Sequence, residues 1–222
     1  MTSKELPNYT KGEEIFNAVS HIVGGGFGII ALVLGIIFSV IYSNGYGLAS
    51  MIVYGVSMII LYTMSALYHF LPRGKAKKVF RIFDHCTIFL LIAGTYTPYC
   101  LVSLREISPT LGWGLFGVVW CLSILGIIGN AINMHSMWIK TLSMICYLGE
   151  GWCVIFAIDK LIKAITIPGF ILLLAGGVLY TIGAVFYGFG KKCKYIHSVF
   201  HLFCLAGTIS QFLSILFYVI IK

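Results

Sequence analysis

Long apolar runs alternate with short polar punctuation along almost the whole chain. Seven runs stand out, at about 21–42, 48–71, 83–103, 111–132, 138–158, 167–189 and 195–221. Each approaches or exceeds the roughly 20 residues that an α-helix needs to cross a hydrocarbon core of about 30 Å. Breakers and charges separate them: S-N-G-Y-G, L-P-R-G-K-A-K-K, R-E-I-S-P, N-M-H-S-M, D-K-L-I-K and G-K-K-C-K. The pattern predicts an all-α membrane protein, a seven-transmembrane helix bundle. A short N-terminal segment occupies 1–20 and the transmembrane domain 21–222. Pro98, inside the third run, predicts a kink or a freed backbone carbonyl. Gly24, Gly25, Gly26, Gly28, Gly176 and Gly177 lie within spans, where small residues let helices approach closely.

Composition agrees. Of 222 residues 59% are hydrophobic and 10% charged, where soluble domains carry roughly half and a quarter. Seven spans leave short loops and no separate soluble domain. The net charge of +8 records orientation rather than a nucleic-acid partner, since no aromatic-basic module accompanies it. With the N-terminus inside, the inner segments hold Lys4, Lys11, Arg73, Lys75, Lys77, Lys78, Arg81, Lys140, Lys191, Lys192 and Lys194. The outer ones hold only Arg105, Lys160, Lys163 and Lys222. This bias predicts a cytoplasmic N-terminus and an external C-terminus in a multi-pass protein of the cell membrane. The polar start M-T-S-K-E-L-P-N-Y-T-K lacks the basic-then-apolar form of a signal peptide, so the first span is expected to be retained. The cysteines (86, 100, 121, 146, 153, 193, 204) are scattered singly and read as small hydrophobes. Cys193 and Cys204, near a histidine pair, are the two with a claim to ligation.

That pair is His197 and His201 in K-Y-I-H-S-V-F-H. Four residues apart, they share one helical face. Ser65 and His69 close the second run in S-A-L-Y-H, and Asp84 with His85 opens the third in F-D-H-C. The topology above puts all of these at one depth, near the cytoplasmic face. Polar groups there cost free energy and mark function more often than decoration. Three histidines leave a fourth position open on a zinc ion, the catalytic pattern; iron or copper would also accept them. The pair lacks the adjacent Glu of H-E-x-x-H, so a base must come from another helix. Asp84 is the candidate proton acceptor, and Ser65, one turn before His69, would orient a ligand or line an oxyanion pocket. His21 is expected to cap or anchor the inner end of the first span, and His135 to be solvated. Glu150, near mid-membrane, must be neutral, paired or facing a hydrated cavity.

Taken together, G-E-E-I-F-N-A-V-S-H, S-A-L-Y-H, F-D-H, A-G-T-Y-T-P-Y and H-S-V-F-H resemble the hemolysin III branch of the progestin and adipoQ receptor family. More distantly the chain is similar to the alkaline ceramidases. The resemblance implies zinc held by His69, His197 and His201, with Asp84 touching the zinc's water and Ser65 as the motif serine. Glu150 departs from the apolar residue expected there. Three functions compete: a zinc-dependent hydrolase of membrane lipid amides or esters, a pore-forming cytolysin, and a non-catalytic sensor of membrane lipid state.

Overall fold

A computed structural model describes residues 6–134, 136–189 and 193–222. His135, and Lys4, Lys191 and Lys192 of the charge tally, lie outside the described residues. Among those described the chain is helical throughout: α1 (Lys11–Tyr42), α2 (Gly45–Phe70), α3 (Lys75–Pro98), a π-helical stretch (Tyr99–Leu104) with a closing turn (Arg105–Ile107), α4 (Pro109–Asn133), α5 (Met137–Gly151), a 3-10 stretch (Cys153–Ala157), α6 (Ile158–Phe189) and α7 (Ile196–Ile215) ending in a second π-helical stretch (Leu216–Ile220). Among the described residues six helical runs are long and apolar enough to cross a membrane.

The fifth of these, Met137–Phe189, spans 53 residues, far more than one crossing needs, but it doubles back. Trp152 donates its indole N–H to Thr181 at 3.1 Å, whereas a straight helix would separate residues 29 apart by about 43 Å. The break falls at Thr166, with φ 61° and ψ 169°, two residues before Pro168. A β-branched residue at positive φ is strained, and Pro168 restricts Ile167 before it; together they end one helix and start the next.

α1 shows why the sequence packs as it does. Its buried residues include Asn17, Ser20, His21, Gly24, Gly28, Ala31, Gly35 and Ser39, a helical stripe of small and polar side chains. The opposite face carries exposed Ile22, Ile29, Ile30, Ile37 and Val40. Large aliphatic side chains face outward and small ones inward, as expected where lipid rather than water surrounds the bundle. Gly24 requires its lack of a side chain, because a Cβ there would land in the ring of Tyr62. A three-helix junction lies deeper in the bundle. Thr208 Oγ1 on α7 meets the hydroxyls of Tyr62 on α2 (2.7 Å) and Tyr180 on α6 (2.6 Å).

Two boundaries differ from those read by hydropathy, for one reason. α1 begins at Lys11, fixed by a capping box between Thr10 and Glu13, and α3 begins at Lys75. Both extensions are polar, yet Glu13, Asn17, Ser20, Lys77 and Arg81 are buried in the bundle. Lys77 donates to the carbonyls of His69 (3.2 Å) and Leu71 (3.1 Å) at the end of α2, a cation on otherwise orphaned helix-end acceptors. At Pro98 the helix neither ends nor leaves αR geometry, and it continues over Tyr99–Leu104 in π-helical form.

Candidate metal centre

His69 lies in the last turn of α2 and His197 and His201 in the first two turns of α7. α1 packs against both, so it supplies the groups behind the histidines. His197 Nε2 lies 3.4 Å from His69 Nε2 and 3.1 Å from His201 Nε2. One ligand atom from each of the three falls within 4.8 Å of the others, and all three residues are buried.

The outer ring nitrogens decide what the inner ones present. His69 Nδ1 is 2.8 Å from Glu14 Oε2, and the other Glu14 oxygen pairs with Lys77 at 2.7 Å. A carboxylate only accepts, so His69 carries its proton on Nδ1. Ser20 Oγ donates to the Asn17 carbonyl at 2.9 Å and therefore accepts from His201 Nδ1 at 3.3 Å. The Nε2 atoms of His69 and His201 are thus bare lone pairs, both crowded towards Nε2 of His197. One proton on His197 would serve a single neighbour. A cation would accept all three lone pairs, so this donor set fits a metal ion, and imidazole nitrogens suit zinc, copper or iron.

Asp84, between two and three turns into α3, lies with Oδ2 3.5 Å from His85 Nδ1, and the Ser65 hydroxyl faces it. His85 donates from Nδ1 to the Arg81 carbonyl (2.9 Å) and accepts the Tyr187 hydroxyl on Nε2 (3.1 Å). Ser65, Asp84, His197 and His201 line one cavity of about 1090 Å³. It runs from the histidines past Leu61, Thr95 and Leu115 to Leu173 and Gln211.

The segment before α1 lies across this site. Tyr9 stacks on His197 (5.0 Å between centroids, 18°) and tilts against His69 at 5.8 Å. Burial pushes its hydroxyl above the ordinary phenol pKa. Arg73 pins the segment, donating to the carbonyls of Leu6 and Pro7 and to Asn8 Oδ1.

The reading of His21 as a cap or interface anchor is corrected. Because α1 starts at Lys11, His21 sits three turns inside, 4% exposed, stacked on His201 at 3.6 Å and 15°. Neither of its nitrogens has a partner among the described residues. Glu150 is buried and accepts from Ser123 at 2.8 Å. It turns to α4 and is not among the cavity's lining residues. Cys193 and Cys204 line the cavity but do not join the histidine group.

Glu14, Ser20 and Tyr9 did not emerge from the sequence as site residues. A signal was present: Glu14, Asn17, His21 and Gly24 recur every three or four residues, one face of a helix that hydropathy alone does not extend so far.

A family description, "Haemolysin-III related", matches residues 9–212. "Hemolysin-3" of Bacillus cereus is 43% identical over 208 residues, 94% of this chain and 92% of the relative. "Hemolysin-3 homolog" of Bacillus subtilis (strain 168) is 39% identical over 210 residues, 95% and 96%. The human "Monocyte to macrophage differentiation factor" is 23% identical over 168 residues, 73% and 67%. With its six apolar helical runs the protein is a multi-pass membrane protein, and the chain belongs to the haemolysin-III-related family.

Proposed function

We propose that this chain is a zinc-dependent hydrolase of membrane lipid amides or esters, crossing the membrane seven times with its N-terminus in the cytoplasm. The observation that carries the reading is the meeting of three imidazole Nε2 atoms, two of them held as lone pairs by Glu14 and Ser20. The seventh crossing follows from the reversal of the Met137–Phe189 run; the orientation follows from the excess of Lys and Arg on the side of residues 72–81.

His69, His197 and His201 would hold the ion, which when bound supplies Lewis-acid polarisation of a carbonyl and acidifies water. Asp84 takes the proton of the attacking water and returns it to the leaving amine or alcohol. Ser65 holds the Asp84 carboxylate in place. Tyr9 and Tyr187 shield the histidines from bulk water, which strengthens the electrostatic interactions inside. The cavity, at the upper end of the roughly 300–1,000 Å³ range of ligand pockets, takes the acyl chains. The name of the Bacillus relatives suggests membrane lysis. A chain this apolar would have to cross water to reach another membrane, which weighs against that role here.

Asp84→Asn tests the reading. The three nitrogen donors remain, so zinc content should match the wild type. Hydrolysis of a lipid amide or ester should fall by roughly 10²–10⁴-fold through loss of the proton acceptor. Normal turnover with normal zinc would remove Asp84 from the chemistry and favour a sensor.

A further inference from the structure

Two cationic side chains are buried among the described residues, Lys77 and Arg81. Lys77 is fully engaged by Glu14 and by two carbonyls at the end of α2. Arg81 is not. Its backbone carbonyl accepts from His85, but among the described residues its guanidinium makes no hydrogen bond and no ion pair. It is 7% exposed and lines the cavity that also holds Asp84 and the histidines. A guanidinium lining a cavity carries five N–H donors, and no described acceptor fills them.

The nearby acids do not fill the need. Asp84 is turned to His85 and Ser65. Glu13 spends one oxygen on Thr10 and the other on the Tyr195 backbone N–H. The Arg81 charge is instead felt at the phenols of Tyr9, Tyr68 and Tyr187. Tyr9 also lines the cavity, and its hydroxyl has no hydrogen-bond partner among the described residues. Lys194 lines the same cavity. Arg81 and the Tyr9 hydroxyl are donors without an acceptor among the described residues.

We propose that Arg81 and the Tyr9 hydroxyl form a subsite for a phosphate group, selecting lipids with a phosphate headgroup over neutral ones. Its place beside the histidines gives the selection a purpose, and in that respect it rests on the lipid-hydrolase reading above. Arg81 and Asp84 are three residues apart on one face of α3, a rise of about 4.5 Å. A phosphate on Arg81 therefore sits one turn from the proposed proton acceptor, leaving an acyl carbonyl of the same lipid within reach of the histidines. Guanidinium binds phosphate through paired, charge-assisted hydrogen bonds, and the phenol adds a further donor.

The test compares two lipids with identical acyl chains, phosphatidylglycerol and diacylglycerol, binding to the purified full chain in neutral detergent. The wild type should prefer phosphatidylglycerol by about tenfold or more. Arg81→Gln should abolish the preference and Arg81→Lys keep part of it, with zinc content unchanged in both. Tyr9→Phe should weaken the preference, and it stands in should Arg81→Gln fail to fold. Displacement of phosphatidylglycerol by millimolar inorganic phosphate would show that the subsite reads phosphate itself; preference without displacement, that it reads phosphate only as a lipid headgroup. Both support the proposal. An unselective wild type, or a preference that survives in Arg81→Gln and Tyr9→Phe, overturns it. Palmitate binding that depends on Arg81, with phosphatidylglycerol binding that does not, overturns it in favour of a carboxylate site. Binding needs no turnover, so a headgroup preference without hydrolysis would sink the enzyme reading and leave the subsite standing. Hydrolysis without preference would do the reverse.

Discussion

Glu14→Gln should weaken zinc binding more than so small a change suggests. Glu14 offers two acceptor oxygens, one to His69 Nδ1 at 2.8 Å and one to Lys77 at 2.7 Å. Glutamine has one acceptor oxygen and an NH₂ that only donates. If the amide oxygen keeps the ammonium, the stronger charge-assisted bond, the NH₂ faces His69 Nδ1. His69 then moves its proton to Nε2, the atom aimed at the other histidines. Metal binding must pay to reverse that tautomer. Removing a partner that orients a ligating histidine costs about 10–100-fold in metal affinity, equal to about 1.4–2.8 kcal/mol. This is the range of a single hydrogen bond to a charged group, about 1.5–3 kcal/mol. Competition against a zinc chelator on the purified protein at neutral pH measures it directly. A variant that folds and binds zinc within about twofold of the wild type would refute both the tautomer assignment and the role of Glu14 in ligand orientation.

Three further outcomes follow from the geometry. Elemental analysis of His197→Ala/His201→Ala should find zinc lost, because the remaining His69 cannot hold the ion alone; undiminished zinc would move the site elsewhere. Ala76→Cys on a cysteine-free background should resist an impermeant thiol reagent in intact cells and react in inverted membranes, and the opposite pattern would reverse the proposed topology. Gly24→Val should push the Tyr62 ring off α1 and destabilise the protein by about 1–3 kcal/mol, read as a lowered thermal midpoint in detergent; an unchanged midpoint would mean that α1 and α2 have room to spare.

Hydropathy marked the helices well because lipid imposes one rule on every outward face. It failed at residues 11–20 and 75–82, where the helices are polar but Glu13, Glu14 and Lys77 bond inside the bundle rather than to water. His69, His197, His201, Asp84 and Ser65 were legible because histidine, aspartate and serine at turn spacing are rare in apolar helices. Glu14 was not, since an acidic residue in a first helical turn has a sufficient explanation in the helix dipole. Its second task, across 55 residues to His69, needs the packing of α1 against α2. His21 was misplaced by the same error in the start of α1. The fold-back at Thr166 was implied by the D-K-L-I-K break, but only the bond between Trp152 and Thr181 shows the chain returning along its own path.

The histidine cluster joins positions 128 residues apart, and its last donors arrive with the last helix. During synthesis, His69 enters the membrane long before His197 exists, so a growing or truncated chain cannot close the cluster. On the proposed metal reading, loading would be a test of assembly. An ion bound there would be captured only after α2 and α7 had both been inserted and had docked, since they carry the three histidines. A molecule carrying an ion would, by that fact, have been built as far as α7.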